Sequence, residues 1–128
     1  MTAAEARYRA GACNIGEAEV RRRWRAGWGG AAMTVILWVG FAFANLAAPW
    51  YWLLALPAFG AAVGVVQARS RFCVHFGLRR RFNFGDLWST TQVEDAADRS
   101  LDQRRSWQLL GVSAAIAIIV ATLGVLTA

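Results

Sequence analysis

Between Arg25 and Arg69 the chain carries no Asp, Glu, Lys or Arg, and none follows Arg105. Few soluble folds tolerate such gaps. A helix needs about 20 apolar residues to cross a hydrocarbon layer about 30 Å thick, and a run of that length without a charge is seldom the core helix of a soluble domain. The second gap is long enough for one crossing. The first is long enough for two joined by a tight turn.

The first gap predicts helices over 31–47 and 51–68, with Ala48, Pro49 and Trp50 forming the bend. Pro49 sits where a helix must stop, because proline lacks an amide proton and disfavours helical geometry in the residue before it. Trp50, Tyr51 and Trp52 suit a bend at the boundary between headgroups and acyl chains, where amphipathic rings collect. Pro57 is expected to kink the second helix or to be accommodated by its neighbours. A third helix is expected over 107–126. The first 25 residues are polar and carry six Arg, so the pattern is not that of a cleaved signal peptide. A two-crossing arrangement, with one segment lying on the surface, is the alternative layout. The expected class is therefore an all-α integral membrane protein forming a single membrane domain of 128 residues: an N-terminal segment over 1–30, a hairpin over 31–68, a loop over 69–106 and a third helix over 107–128.

Charge sets the expected orientation. Six Arg precede the first helix and eight lie between the second and third, whereas the Ala48 to Trp50 bend and the C-terminal tail have none. The positive-inside bias then places the N-terminus and the loop in the cytoplasm, and the bend and C-terminus outside, in a bacterial inner membrane. The net charge of +6 collects on one face, which anionic lipid attracts. Nucleic-acid binding could use the same charge, but lipid is the simpler partner. All basic residues are Arg, with Ala and Gly abundant, as codon bias in a GC-rich genome would produce.

Within the N-terminal segment, Asn14 is a candidate N-cap, with Glu17 at the capping-box position. Val20, Trp24 and Trp28 form a stripe among Arg21, Arg22, Arg23 and Arg25, as in a short amphipathic helix lying on the membrane or docking on a partner. Gly27, Gly29 and Gly30 would let the chain turn from there into the bilayer. In the loop, RFCVHFGLRRRFNFG interleaves rings with guanidiniums and is expected to lie at the acyl boundary. Its second half, with Asp95, Asp98, Arg99 and Asp102, reads as a solvated helix leading into the third crossing.

Cys13, Cys73 and His75 return to the same membrane face in this layout and form the candidate metal site, with Glu17 a conceivable fourth ligand. No CxxC pair is present, so two unpaired structural cysteines are the plainer expectation. A lone histidine leaves no bis-His haem within one chain, and no cofactor is expected. The apolar segments hold Thr34, Asn45, Gln67, Gln108, Ser113 and Thr122 but no ionisable residue, which argues against a proton-coupled pathway. Gly60 and Gly64 make a GxxxG, and Gly40 and Gly111 precede alanines four residues on; these four are the expected helix-packing positions.

Cys13-Asn14-Ile15-Gly16 with Arg21-Arg22-Arg23, then Phe72-Cys73 with Phe76-Gly77, then Phe82-Asn83-Phe84-Gly85, resemble the pattern of small uncharacterised membrane proteins of GC-rich bacteria. The resemblance implies the three-helix layout and carries no activity or catalytic residue. The function expected is that of a non-enzymatic structural or accessory subunit, packed in a larger membrane complex or a homo-oligomer. The alternative is a metal- or redox-active protein using Cys13, Cys73 and His75.

Overall fold

The computed structural model describes residues 7–85, 87 and 90–128. Its helices are α1 (Glu17–Phe43), α2 (Ala55–Ser70, entered through a 3-10 segment, Ala48–Leu54), the short α3 (Val74–Leu78) and α4 (Ala96–Thr127). A two-stranded antiparallel ribbon, β1 (Arg81–Phe82) and β2 (Thr91–Gln92), pairs Arg81 with Gln92 and Phe82 with Thr91. Three stretches, Glu17–Phe43, Ala48–Ser70 and Ala96–Thr127, are long and apolar enough to span a membrane.

The element boundaries correct three expectations. The N-terminal amphipathic helix and the first crossing are one continuous helix, and Gly27, Gly29 and Gly30 lie inside it rather than at a turn. Packing explains why. A methyl built on Gly27 would meet the backbone nitrogen of Val65 at 2.9 Å, and one on Gly30 would meet that of Ala61 at 2.8 Å. These glycines let α1 approach α2, so their value lies in lacking a side chain, not in freedom to bend. α1 then ends at Phe43, and Asn45 takes the left-handed conformation (φ 53°) that asparagine tolerates better than most residues.

The bend expected at Ala48, Pro49 and Trp50 lies earlier, over 44–47, because α1 stops at Phe43; those three residues open the 3-10 segment, where the amide that Pro49 lacks is not needed. Pro57 lies in the first turn of α2, where the winding changes from 3-10 to α. The helix expected ahead of the third crossing is continuous with it from Ala96, and Asp95 caps it: its side chain accepts from the amides of Ala97 (2.8 Å) and Asp98 (3.1 Å).

α2 is the middle helix, packing against both α1 and α4. The inward positions are small: Ala58, Ala62, Ala117, Ala121 and Ser113 are buried, and Gly64 sits so close to α1 that a methyl there would lie 2.6 Å from the Gly27 amide nitrogen. The outward positions are large, with Ile36, Phe43, Leu56, Ile118, Ile119 and Leu126 all exposed. Trp50 and Trp52 also face outward, whereas Tyr51 is buried and meets Phe41 edge-on at 5.6 Å between ring centres. Of the four expected packing glycines, Gly64 alone is in close contact. A methyl on Gly40, Gly60 or Gly111 would meet nothing within 4 Å.

Candidate functional site at the polar end

The residues that precede α1, follow α2 and lead into α4 fold together over one end of the helices. Residues 14–16 run as an extended segment between two other pieces of chain. The Asn14 amide donates to the Arg71 carbonyl (3.1 Å), and the Asn83 amide donates to the Asn14 carbonyl (2.8 Å). The Gly16 amide in turn donates to the Asn83 carbonyl (2.8 Å). The Asn14 side chain then bonds Cys73 both ways, accepting from its amide (2.7 Å) and donating to its carbonyl (3.2 Å). An asparagine side chain presents the donor and acceptor of a peptide group, so Asn14 acts as one more rung of a ladder. It is not the expected N-cap: Gly16 holds that position, without a side-chain cap.

An ionic cluster lies beneath. Glu19, fully enclosed, pairs with Arg23 one turn on and accepts from the Asn83 side-chain amide (3.3 Å). Arg23 also donates through Nη2 to Sγ of Cys73 (2.7 Å) and lies over the Phe76 ring, 5.5 Å from its centre. A buried arginine and glutamate are tolerated together because their attraction and their further hydrogen bonds offset the cost of dehydrating each. Around them Ile15, Val20, Ala68, Cys73 and Phe76 form an apolar cluster, with Trp24 against it. Phe72, Val74 and Leu109 form a second. Val20 and Trp24, expected to lie on a membrane surface, instead cover this core, and the rings of Phe72, Phe76 and Phe82 turn inward rather than to the acyl boundary. Trp28 does face outward.

A further anchor ties the N-terminal segment to α4. Asp102, ahead of the apolar stretch that starts at Trp107, accepts from the Gly11 amide (2.7 Å) and from the Tyr8 hydroxyl. Tyr8 stacks on Phe82 with ring centres 4.7 Å apart. Burial, then the bond to Asp102, raises the Tyr8 hydroxyl well above its ordinary pKa. Burial also raises the Asp102 carboxyl, partly offset by the Gly11 amide and Tyr8. The sequence read Asp102 as solvated; it is enclosed, because the N-terminal segment folds over it. Asp95 spends its side chain on the cap, and Arg99 donates to the Val93 carbonyl (2.7 Å).

The proposed metal ligands are distributed over two places. Cys73 and His75 line one groove with Arg22 and Arg23. Cys13 lines another cleft with Arg7, Arg9, Arg69 and Arg71, and its thiol faces the Ile15 carbonyl at 3.8 Å. Glu17, the conceivable fourth ligand, is bonded by Arg71 at 3.0 Å, which holds its carboxyl below the usual carboxylate range. Among the described residues no three of His, Cys, Asp and Glu gather as a metal would require. Asn14, the neighbour of Cys13, is the residue whose side chain reaches Cys73, and the Cys73 sulfur meets a guanidinium, a neighbour that would repel a cation.

The sequence passed over Asn14, Glu19, Arg23 and Asn83 as a group, since Asn83 lies 60 residues beyond Arg23 and nothing local ties Asn14 to the Glu19–Arg23 pair. Three of the four fall in the short segments Cys13–Gly16, Arg21–Arg23 and Phe82–Gly85, which converge here. No family model, curated protein or solved structure matches the chain.

Proposed function

We propose that this is a non-catalytic, multi-pass protein of the bacterial inner membrane, with its arginine-rich end in the cytoplasm, serving as a structural or accessory subunit of a larger complex or homo-oligomer. The observation that carries the reading is the arrangement of the three apolar helices, whose seams are lined mainly by alanine with Gly27, Gly30 and Gly64, while most of the isoleucine, leucine and phenylalanine faces outward. In water that outer surface would be a large aggregation hazard, whereas in lipid it is the ordinary solvent-facing side. The buried charges favour a structural role, since Glu19, Arg23 and Asp102 are bonded within the fold. Gly40 and Gly111 give two outward points where another helix could approach closely.

Membrane pelleting after alkaline carbonate and thiol labelling test the proposal. In a Cys13→Ser background, Trp50→Cys should react with an impermeant reagent in intact cells, and Arg104→Cys only after permeabilisation. Carbonate should leave the protein in the pellet. Release by carbonate would overturn insertion, and the reverse labelling pattern would overturn the orientation. In mild detergent the protein should run as an assembly that Gly40→Leu or Gly111→Leu weakens. A bare monomer with no co-purifying protein would remove the subunit role.

A further inference from the structure

The N-terminal segment contributes to two clefts of opposite charge. Arg7 and Arg9 line the cleft beside Cys13 with Arg69 and Arg71, a space of about 460 Å³. Tyr8, between them in sequence, lines a smaller cleft of about 220 Å³ with Glu94, Asp95 and Asp98, beside the exposed ribbon residues Thr91 and Gln92. The two share no residue, and among the described residues no Asp or Glu lines the first and no Lys, Arg or His lines the second. Soluble surfaces ordinarily intersperse the two signs. Here they are sorted.

Contacts within the chain leave part of each charge over. In the basic cleft Glu17 takes up Arg71 (3.0 Å), and Arg7 lies over the Phe84 ring, 5.2 Å from its centre. In the acidic cleft Asp95 is engaged in capping α4, and Arg99, the next base along the chain, donates to the Val93 carbonyl (2.7 Å) instead of to a carboxylate. Among the described residues Arg9 and Arg69 have no acidic partner, and Glu94 and Asp98 have no basic one. Arg9, Arg69 and Glu94 are exposed and Asp98 is half-buried. Because Tyr8 and Arg9 are consecutive, the clefts stand at about one height over the helices. Two copies inserted the same way would therefore present opposite charges to each other at one level. We infer that the polar end is an interface between copies of this chain, in which Arg9 and Arg69 of one copy meet Glu94 and Asp98 of a second. Guanidiniums suit carboxylates because their paired donors match the two oxygens, and water excluded from the contact strengthens the attraction. An anionic lipid would fill the basic cleft and leave the acidic one unmatched. A second copy answers both.

This interface deepens the homo-oligomer proposed above and rests on that reading. Its test is self-association of the purified full chain in mild detergent, followed by light scattering. Arg9→Glu with Arg69→Glu should weaken self-association at least about tenfold, and Glu94→Arg with Asp98→Arg should do the same. Mixing these two variants should restore assembly, and so should one chain carrying all four changes. Arg104→Glu, at an exposed position outside both clefts, should leave assembly as in the parent protein. Raising the salt to about 1 M, where screening acts within about 3 Å, should weaken the parent assembly several-fold. Thermal unfolding of each variant, and the milder pair Arg9→Gln with Arg69→Gln, separate a lost contact from a lost fold. Assembly indifferent to either reversal, or a loss that neither mixing nor the fourfold change repairs, would overturn the interface. If assembly survives both reversals and yields to Gly40→Leu, the contact lies between the helices and the subunit reading stands. A monomer that co-purifies with a different protein would likewise overturn this interface alone, whereas a bare monomer would overturn both.

Discussion

The two ends of this molecule are built on opposite rules. At the polar end the enclosed side chains include Asn14, Glu19, Asn83, Asp102 and Ser106, held by hydrogen bonds and wrapped by Ile15, Phe72 and Phe76. Along the helices the enclosed residues include Ala58, Ala62, Ala117 and Ala121, with Tyr51, Leu54 and Leu109 the large exceptions, while most of the bulk faces outward. The first region is organised as a small soluble domain, where burial of rings drives assembly and buried polar groups must be partnered. In the bilayer proposed above, the second would gain nothing from moving a leucine between lipid and protein. It is held by close backbone approach and dispersion. Substitutions of one chemical kind should therefore have unequal effects in the two regions.

The largest effect is expected at the ionic cluster. Glu19→Ala leaves Arg23 charged and enclosed and should cost about 3–5 kcal/mol, read as a collapse of the unfolding midpoint in detergent. A small change there would show that the polar end is wetter than its burial indicates. Gly64→Leu should cost about 3 kcal/mol, because the new side chain meets the backbone of Gly27 and neither helix can yield locally. Gly60→Leu, one turn away, should leave the midpoint near that of the parent protein. Equal effects at the two glycines would break the distinction between the inner seam and a position that faces no neighbour.

Asn14→Ala should cost about 2 kcal/mol, since it strands the buried Cys73 amide, while the Cys73 carbonyl keeps the Gly77 amide at 2.9 Å. Tyr8→Phe should cost about 1 kcal/mol at neutral pH. Its pH dependence is more telling. The folded Tyr8 hydroxyl titrates above its ordinary value of 10.0, so its contribution is complete below that pH and is lost as pH rises toward the folded value. The parent protein should lose stability above pH 10, and Tyr8→Phe should reduce that slope in a chemical-denaturation series. The smallest effect is expected outside: Ile118→Ala should change stability by less than about 1 kcal/mol, because that side chain faces outward and leaves no internal cavity. The same truncation at Phe72 should cost several-fold more.

Three apolar stretches and the concentration of arginines at one end were legible in the sequence, because each depends on local composition; the stop expected at Pro49 came instead at Phe43, and Pro49 opens the next helical segment. The glycines were harder. Gly27 and Gly30 in α1 read as a hinge and Gly60 as a packing contact, yet the first two touch α2 and the third touches nothing. Whether a missing side chain gives freedom or proximity depends on what lies opposite. Asn14 and Asp102 were misread for the same reason: their local rules, helix capping and solvation, were overridden by partners 59 and 91 residues away, Cys73 and Gly11. The sequence by itself determined how many apolar helices form and where charge collects, since hydropathy and charge add up along the chain. The tertiary structure alone decided which polar groups are enclosed, which glycines face a neighbour and which arginines share a cleft. Those properties belong to pairs of residues that meet only after the chain has folded.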